Sequence, residues 1–269
     1  GVRAVYAPGR AGGATKWPDG AGLRPPRAAG TAVDLPGFGL SRPLATADWT
    51  PDGHADALLC FLAGRGQRVH LVGNSFGGAV AISVAARRPE LVATLTLVSP
   101  AMPDRRLDPR RISDPRLALA MMPLIGRRAR AQVAALSPQE RAEQVVRLCF
   151  GDPSRVPDHR LAEAAAEIEL RNRQPWAHEA GLRTAAGMIA SWARGRLWST
   201  ASRVQAPTLV VWGDRDRLVS PRLATRTAAT IPRAELQMLP GIGHVAQMEV
   251  PGTVAEAVGE MWDAWEDPA

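Results

Sequence analysis

The chain has 269 residues, room for one large domain or two small ones, and its 46% hydrophobic and 22% charged content excludes intrinsic disorder and fibrous repeats. Its formal charge of +7 rests on arginine, with Lys16 the only lysine, and the arginines are interleaved with Asp and Glu without a recognition motif, which argues against a nucleic-acid partner. No apolar run approaches the roughly 20 residues that span a bilayer, Gly1-Val2-Arg3-Ala4 lacks a secretory pattern, and two cysteines, Cys60 and Cys149, are too few for a disulfide framework or metal cluster; a cytoplasmic protein without stable membrane insertion is the expectation.

In chain order, short β-branched runs alternate with longer amphipathic segments, the pattern of a mostly parallel sheet sandwiched by helices. Strands are predicted at Val2 to Tyr6, Gly30 to Val33, Val69 to Val72, Thr94 to Val98, Thr208 to Trp212 and Glu235 to Leu239. Thr50-Pro51-Asp52 supplies an N-cap, a first-turn proline and a first-turn acid for a helix running to about Gly64. Phe76 to Arg88 reads as a helix with Gly77, Gly78, Ala81 and Ala85 on one face, stopped by Pro89. Ser220-Pro221 opens Arg222 to Thr230, and Thr253 to Trp265 closes the chain as a helix. Between them, residues 102–203 break the alternation with helical spacing and no convincing strand. That stretch is too long for a plain loop and reads as a helical cap inserted into a core made of 1–101 and 204–269.

The chemistry starts at Gly73-Asn74-Ser75-Phe76-Gly77-Gly78, which follows one predicted strand and opens the next predicted helix. A Gly-x-Ser-x-Gly in that setting is a nucleophile elbow: the turn is so tight that flanking side chains would collide, while the serine hydroxyl is held up at the sheet edge over a helix N-terminus. An acid follows the next-to-last strand, in Gly213-Asp214-Arg215-Asp216, and a histidine follows the last, in Gly241-Ile242-Gly243-His244. Loops at strand C-terminal ends are where open α/β sheets place their sites, so Ser75, one of the two acids and His244 should converge on one edge.

With these motifs the chain resembles the α/β-hydrolase superfamily, of the cap-bearing type. Val33-Asp34-Leu35-Pro36-Gly37-Phe38-Gly39-Leu40-Ser41 is similar to the segment after that family's fourth strand, and Gly243-His244-Val245-Ala246-Gln247-Met248-Glu249 to its histidine loop. The resemblance implies a Ser75, His244, Asp216 triad, with Asp214 capping its loop. It implies an oxyanion hole made by the backbone N–H of Phe76 and of Arg10, the latter in Ala7-Pro8-Gly9-Arg10-Ala11-Gly12-Gly13. There the family usually has His-Gly where this chain has Pro8-Gly9. The family also usually opens with a two-stranded hairpin, here short or missing; an exposed edge strand would favour association and leaves room for a homodimer.

The cap should carry specificity. Met102, Met121, Met122, Leu124, Ile125, Trp176, Met188, Ile189, Trp192 and Trp198 are candidates either for an apolar tunnel above Ser75 or for the cap's own core. Substrate contacts are expected from Asn74, Met121, Met122, Trp192 and Val245. The basic run Asp104 to Arg130, eight Arg against three Asp, reads as a solvated face or as an attractor for an anionic substrate or membrane surface. His54, His70, His159 and His178 read as structural or solvated.

The leading expectation is a serine hydrolase acting on a small-molecule carboxylic ester or thioester with an apolar acyl part, through an acyl-enzyme. That chemistry requires no metal or organic cofactor, and none is expected. The alternative is hydrolysis of a carbon–carbon bond in a vinylogous diketone-type acid, because Gly-Asn-Ser-x-Gly-Gly resembles the elbow of such enzymes; it would need a cap arginine facing Ser75, with Arg171, Arg173, Arg183 and Arg194 available. A third reading is a hydrolase-like binding protein without turnover.

Overall fold

The computed structural model describes residues 2–9, 30–43, 48–104 and 135–265. Six parallel strands form one sheet: β1 (Arg3–Ala7), β2 (Gly30–Ala32), β3 (Val69–Asn74), β4 (Val92–Val98), β5 (Thr208–Gly213) and β6 (Ala234–Leu239), in the order β2-β1-β3-β4-β5-β6. All six predicted strands are present, and every neighbouring pair runs parallel, from Ala4 beside Gly30 at one edge to Gly213 beside Leu239 at the other. Parallel neighbours require crossovers, and from β2 onward the described residues supply them as helices.

Of these, α1 (Pro51–Ala63) joins β2 to β3 and α2 (Phe76–Arg87) joins β3 to β4. Thr50 Oγ1 accepts from the Gly53 N–H at 3.2 Å with Pro51 at the first turn, so α1 starts where its cap residues dictate. Pro89 follows α2 and prevents its continuation. After β4 come α3 (Pro138–Cys149), α4 (Asp158–Asn172), α5 (Ala177–Arg194) and α6 (Arg196–Ala201), all before β5. The start of α3 is fixed by a reciprocal pair, Ser137 Oγ accepting from Glu140 N–H while the Glu140 carboxylate accepts from Ser137 N–H. Gly195, in the left-handed region at φ 63°, turns the chain between α5 and α6. The closing elements are α7 (Arg222–Thr230), α8 (Ala246–Glu249) and α9 (Pro251–Trp265).

Because side chains alternate along a strand, the sheet builds two cores. Val5, Leu71, Leu95, Leu97, Val210 and Trp212 face α1, α2, α6 and α7, while Ala4, Tyr6, Val72, Val98, Leu209 and Val211 face α8 and α9 through Ala246, Val254, Val258 and Trp262. Each fully buried large side chain of this kind contributes about 1.5–3 kcal/mol. The fold is a parallel sheet covered by helices with a helical insertion after β4. Leu197 and Ala201 of α6 lie in the core on the α2 side, so the end of the insertion is anchored on the sheet. Among the described residues, no helix is long and apolar enough to cross a membrane.

Candidate active site

β3 ends at Asn74 and α2 begins at Phe76, leaving Ser75 alone to make the turn. Its φ of 54° and ψ of −118° lie in a region that costs a residue with a side chain about 1–3 kcal/mol. The surroundings hold it there: Ser75 N–H donates to Val98 O at 3.0 Å, and Ser75 O accepts from Gly78, Ala79 and Ala101 N–H at 3.0, 3.2 and 2.9 Å. The elbow's glycines are required by crowding. A Cβ at Gly77 would stand 2.2 Å from Ala7 O and 2.5 Å from Pro8 O, and one at Gly73 would stand 2.6 Å from Gly77 O. Backbone atoms cannot move aside, so the motif's spacing is a packing requirement of this turn. The N–H of Phe76 sits in the first turn of α2, where amides lack intrahelical acceptors.

The acid loop follows β5. Asp216 Oδ2 lies 2.8 Å from His244 Nδ1, with the two side chains 0% and 5% exposed. A carboxylate can only accept, so Nδ1 carries the proton of this contact, and in the neutral form of the ring the lone pair is on Nε2. The other oxygen, Asp216 Oδ1, accepts from Leu218 and Val219 N–H at 2.8 and 2.9 Å, which orients the carboxylate before any substrate arrives. Asp214 points elsewhere: its Oδ1 accepts from Gly241 N–H at 2.7 Å.

Two further side chains organise this edge. Asn74 Nδ2 donates to Val98 O at 2.9 Å and to His244 O at 3.3 Å, so the residue before the elbow serine is fastened to the histidine's own backbone. Glu249, with its side chain fully buried, accepts from Gly243 N–H at 2.8 Å, Gly151 N–H at 3.0 Å and Asp152 N–H at 2.9 Å, and has Arg155 Nη1 at 3.6 Å. The sequence offers no signal for this beyond an acid five residues after His244, since two of the amide partners lie 97 and 98 residues away.

Pro8 and Gly9 follow β1 on the same edge, and Gly9 is placed so that a Cβ there would stand 3.2 Å from Ser75 Cβ. Arg10, Met121, Met122, Leu124, Ile125 and the basic run from 105 to 130 lie outside the described residues. Trp192 is half-buried against the core on the α2 side and donates from Nε1 to Ala101 O at 3.1 Å; Trp198 does the same to Pro103 O at 3.2 Å. These indoles fasten α5 and α6 to the chain leaving β4. Val245 is buried with Cys149 and Phe150 at the end of α3. Met102 is wholly buried in the core and Ile189 is 47% exposed, so neither is placed as a tunnel wall.

The Phe76 ring packs edge-on against His54 at 4.9 Å between centroids and lies 6.3 Å from Phe38, whose ring has the Arg171 guanidinium 5.6 Å above it. Arg173 and Arg183 pair with Glu169 and Glu179 along their own exposed helices. Burial holds His54 below the usual histidine range despite the Thr50 carbonyl at 3.0 Å from Nδ1. His70 is pushed down to about 4, first by burial and second by Arg68; it stacks on Trp262 at 4.4 Å and its Nδ1 meets Thr94 Oγ1 at 2.9 Å. Both are structural, and His159 and His178 are exposed. Among the described residues, no three His, Cys, Asp or Glu side chains converge to hold a metal ion.

Comparison with known proteins matches residues 5–251 to the alpha/beta hydrolase fold family. The dihydrolipoyllysine-residue acetyltransferase component of the acetoin cleaving system of Pseudomonas putida is 31% identical over 81% of this chain and 52% of its own length, so this chain spans about half of that relative. The 2-hydroxy-6-oxo-6-phenylhexa-2,4-dienoate hydrolase of Burkholderia cepacia is 28% identical over 80% of this chain and 70% of its own. Among solved structures, a bacterial membrane phospholipase A described as a virulence factor superimposes with a TM-score of 0.73 at 25% identity, covering 98% of this chain and 79% of its own.

Proposed function

Since the chain belongs to the α/β-hydrolase family, we propose that it is a serine hydrolase that cleaves a carboxylic ester or thioester with an apolar acyl part. The observation that carries this reading is the buried 2.8 Å contact between His244 Nδ1 and Asp216 Oδ2, on the edge where Asn74 ties the strained Ser75 elbow to the His244 backbone. The phospholipase likeness favours ester chemistry.

In this reading His244 Nε2 takes the Ser75 proton as Oγ attacks the carbonyl carbon, a general-base contribution of about 10²–10⁴ in rate. Asp216 keeps the tautomer and stabilises the imidazolium formed. The oxyanion is received by the N–H of Phe76 and of Arg10, each such donor worth about 10²–10³ in rate. As the intermediate collapses, His244 returns the proton to the leaving alkoxide or thiolate, and the acyl group stays on Ser75. Water then repeats the sequence and releases the acid. The cap, taken as residues 102–203, contributes Trp192 and the methionines Met121 and Met122 to the acyl pocket. Steady-state hydrolysis of p-nitrophenyl esters from acetate to decanoate tests this: turnover with an optimum at intermediate or long acyl chains fits, and no turnover from folded protein contradicts it and favours a ligand-binding role.

Carbon–carbon bond hydrolysis is the second reading, favoured by one observation: Arg171 reaches from the cap over Phe38, next to the Phe76 side chain. A relative is named for cleaving such an acid. If that reading holds, a vinylogous diketone-type acid is turned over and Arg171→Met raises its KM at least tenfold more than that of a neutral ester.

A further inference from the structure

We infer that Glu249 is a positioning residue for His244, and that its carboxylate is the joint through which the insertion holds the histidine loop. The inference rests on the reading of His244 as the general base. The carboxylate is fully buried, and it accepts from both sides of one seam: from Gly243 N–H, which immediately precedes His244, and from Gly151 and Asp152 N–H at the end of α3. The same seam is closed by His244 N–H donating to Cys149 O at 2.6 Å. The two backbones are in direct contact. A Cβ at Gly151 would lie 2.2 Å from Gly241 O, and one at Gly243 would lie 2.3 Å from Cys149 O.

Three amides and a nearby guanidinium around one buried carboxylate are charge-assisted contacts, stronger than neutral ones. A glutamine of the same shape cannot replace it. Oε2 faces two N–H donors and Oε1 faces the Asp152 N–H, so either orientation of the amide sets its NH₂ against a donor. Loss of the carboxylate therefore frees the histidine loop and the 149–152 segment together.

The test uses Glu249→Gln with two readouts: the rate at which a fluorophosphonate labels Ser75, and amide hydrogen exchange by mass spectrometry. The expected result is labelling at least tenfold slower per folded molecule, with faster exchange in both 241–246 and 149–152. Glu140→Ala, which removes the carboxylate half of the reciprocal cap at the far end of α3, is expected to lower the melting temperature and leave the labelling rate within twofold. Wild-type labelling by Glu249→Gln, or unchanged exchange in either segment, overturns the inference. Should Glu249→Gln not fold, Glu249→Asp, one methylene short of bridging the seam, is expected to show the same two effects in weaker form, and wild-type values for it overturn the inference equally. A wild-type chain that is not labelled, or a Ser75→Ala variant that is, contradicts the reading of Ser75 instead; the exchange measurement then still decides the joint.

Discussion

Replacing Asp216 by alanine and by asparagine separates two effects of one carboxylate. Its Oδ1 satisfies the N–H groups of Leu218 and Val219, and its Oδ2 meets His244 Nδ1. Alanine leaves both amides without a partner. The Val219 amide is buried, and stranding it costs about 1–3 kcal/mol; the Leu218 amide is only partly buried and costs about 1 kcal/mol, for a total near 3 kcal/mol. Asparagine keeps an acceptor for both amides and loses only the charge assistance, about 1 kcal/mol. Its NH₂ then faces His244 Nδ1, stabilising the tautomer that bears its proton on Nε2 and cannot accept one from Ser75. The acylation rate should fall about 10⁴-fold, while most of the stability survives. Urea unfolding and stopped-flow acylation by p-nitrophenyl butyrate measure the two quantities. An asparagine variant that acylates within tenfold of wild type, or an alanine variant as stable as the asparagine one, refutes the assignment of these roles.

Three other outcomes are expected. Gly77→Ala drives a Cβ into the Ala7 and Pro8 carbonyls; it should destabilise by about 3 kcal/mol or more and abolish ester turnover, read by calorimetry and assay. His70 is held neutral by burial with its folded pKa near 4, below the 6.5 of the exposed side chain. The unfolded chain therefore binds the extra proton between pH 6.5 and 4, so this stabilisation is complete above pH 6.5 and declines as the pH falls toward 4, by at most about 3 kcal/mol; urea midpoints of wild type and His70→Gln should converge over that window. Trp192→Phe removes the hydrogen bond to Ala101 O while keeping a ring; it should cost about 1 kcal/mol of stability and raise KM for long-chain esters more than kcat falls.

The strands, the helices and the elbow are legible in the sequence because each is written in neighbouring residues: Thr50-Pro51 for the start of α1, Pro89 for the end of α2, and Gly73 and Gly77 around Ser75. Asp216 is separable from Asp214 in the sequence only by family spacing; in the structure Asp214 meets Gly241 and Asp216 meets His244. The seam is not legible. Glu249 gathers amides from segments almost a hundred residues apart, and no local pattern records such a contact. Met102 and Ile189 show the same limit in the insertion, because an apolar residue in a helical stretch has the same appearance whether it fills the core, lines a pocket or faces solvent.

The central claim, an acyl group carried on Ser75, is tested most directly by rapid-quench reaction of the purified chain with a p-nitrophenyl ester, measuring p-nitrophenol release together with intact protein mass. The account predicts a stoichiometric burst and a mass increase equal to the acyl group, mapped to the peptide that contains Ser75, both absent in Ser75→Ala. A linear release without mass change, or a burst that survives in Ser75→Ala, contradicts it.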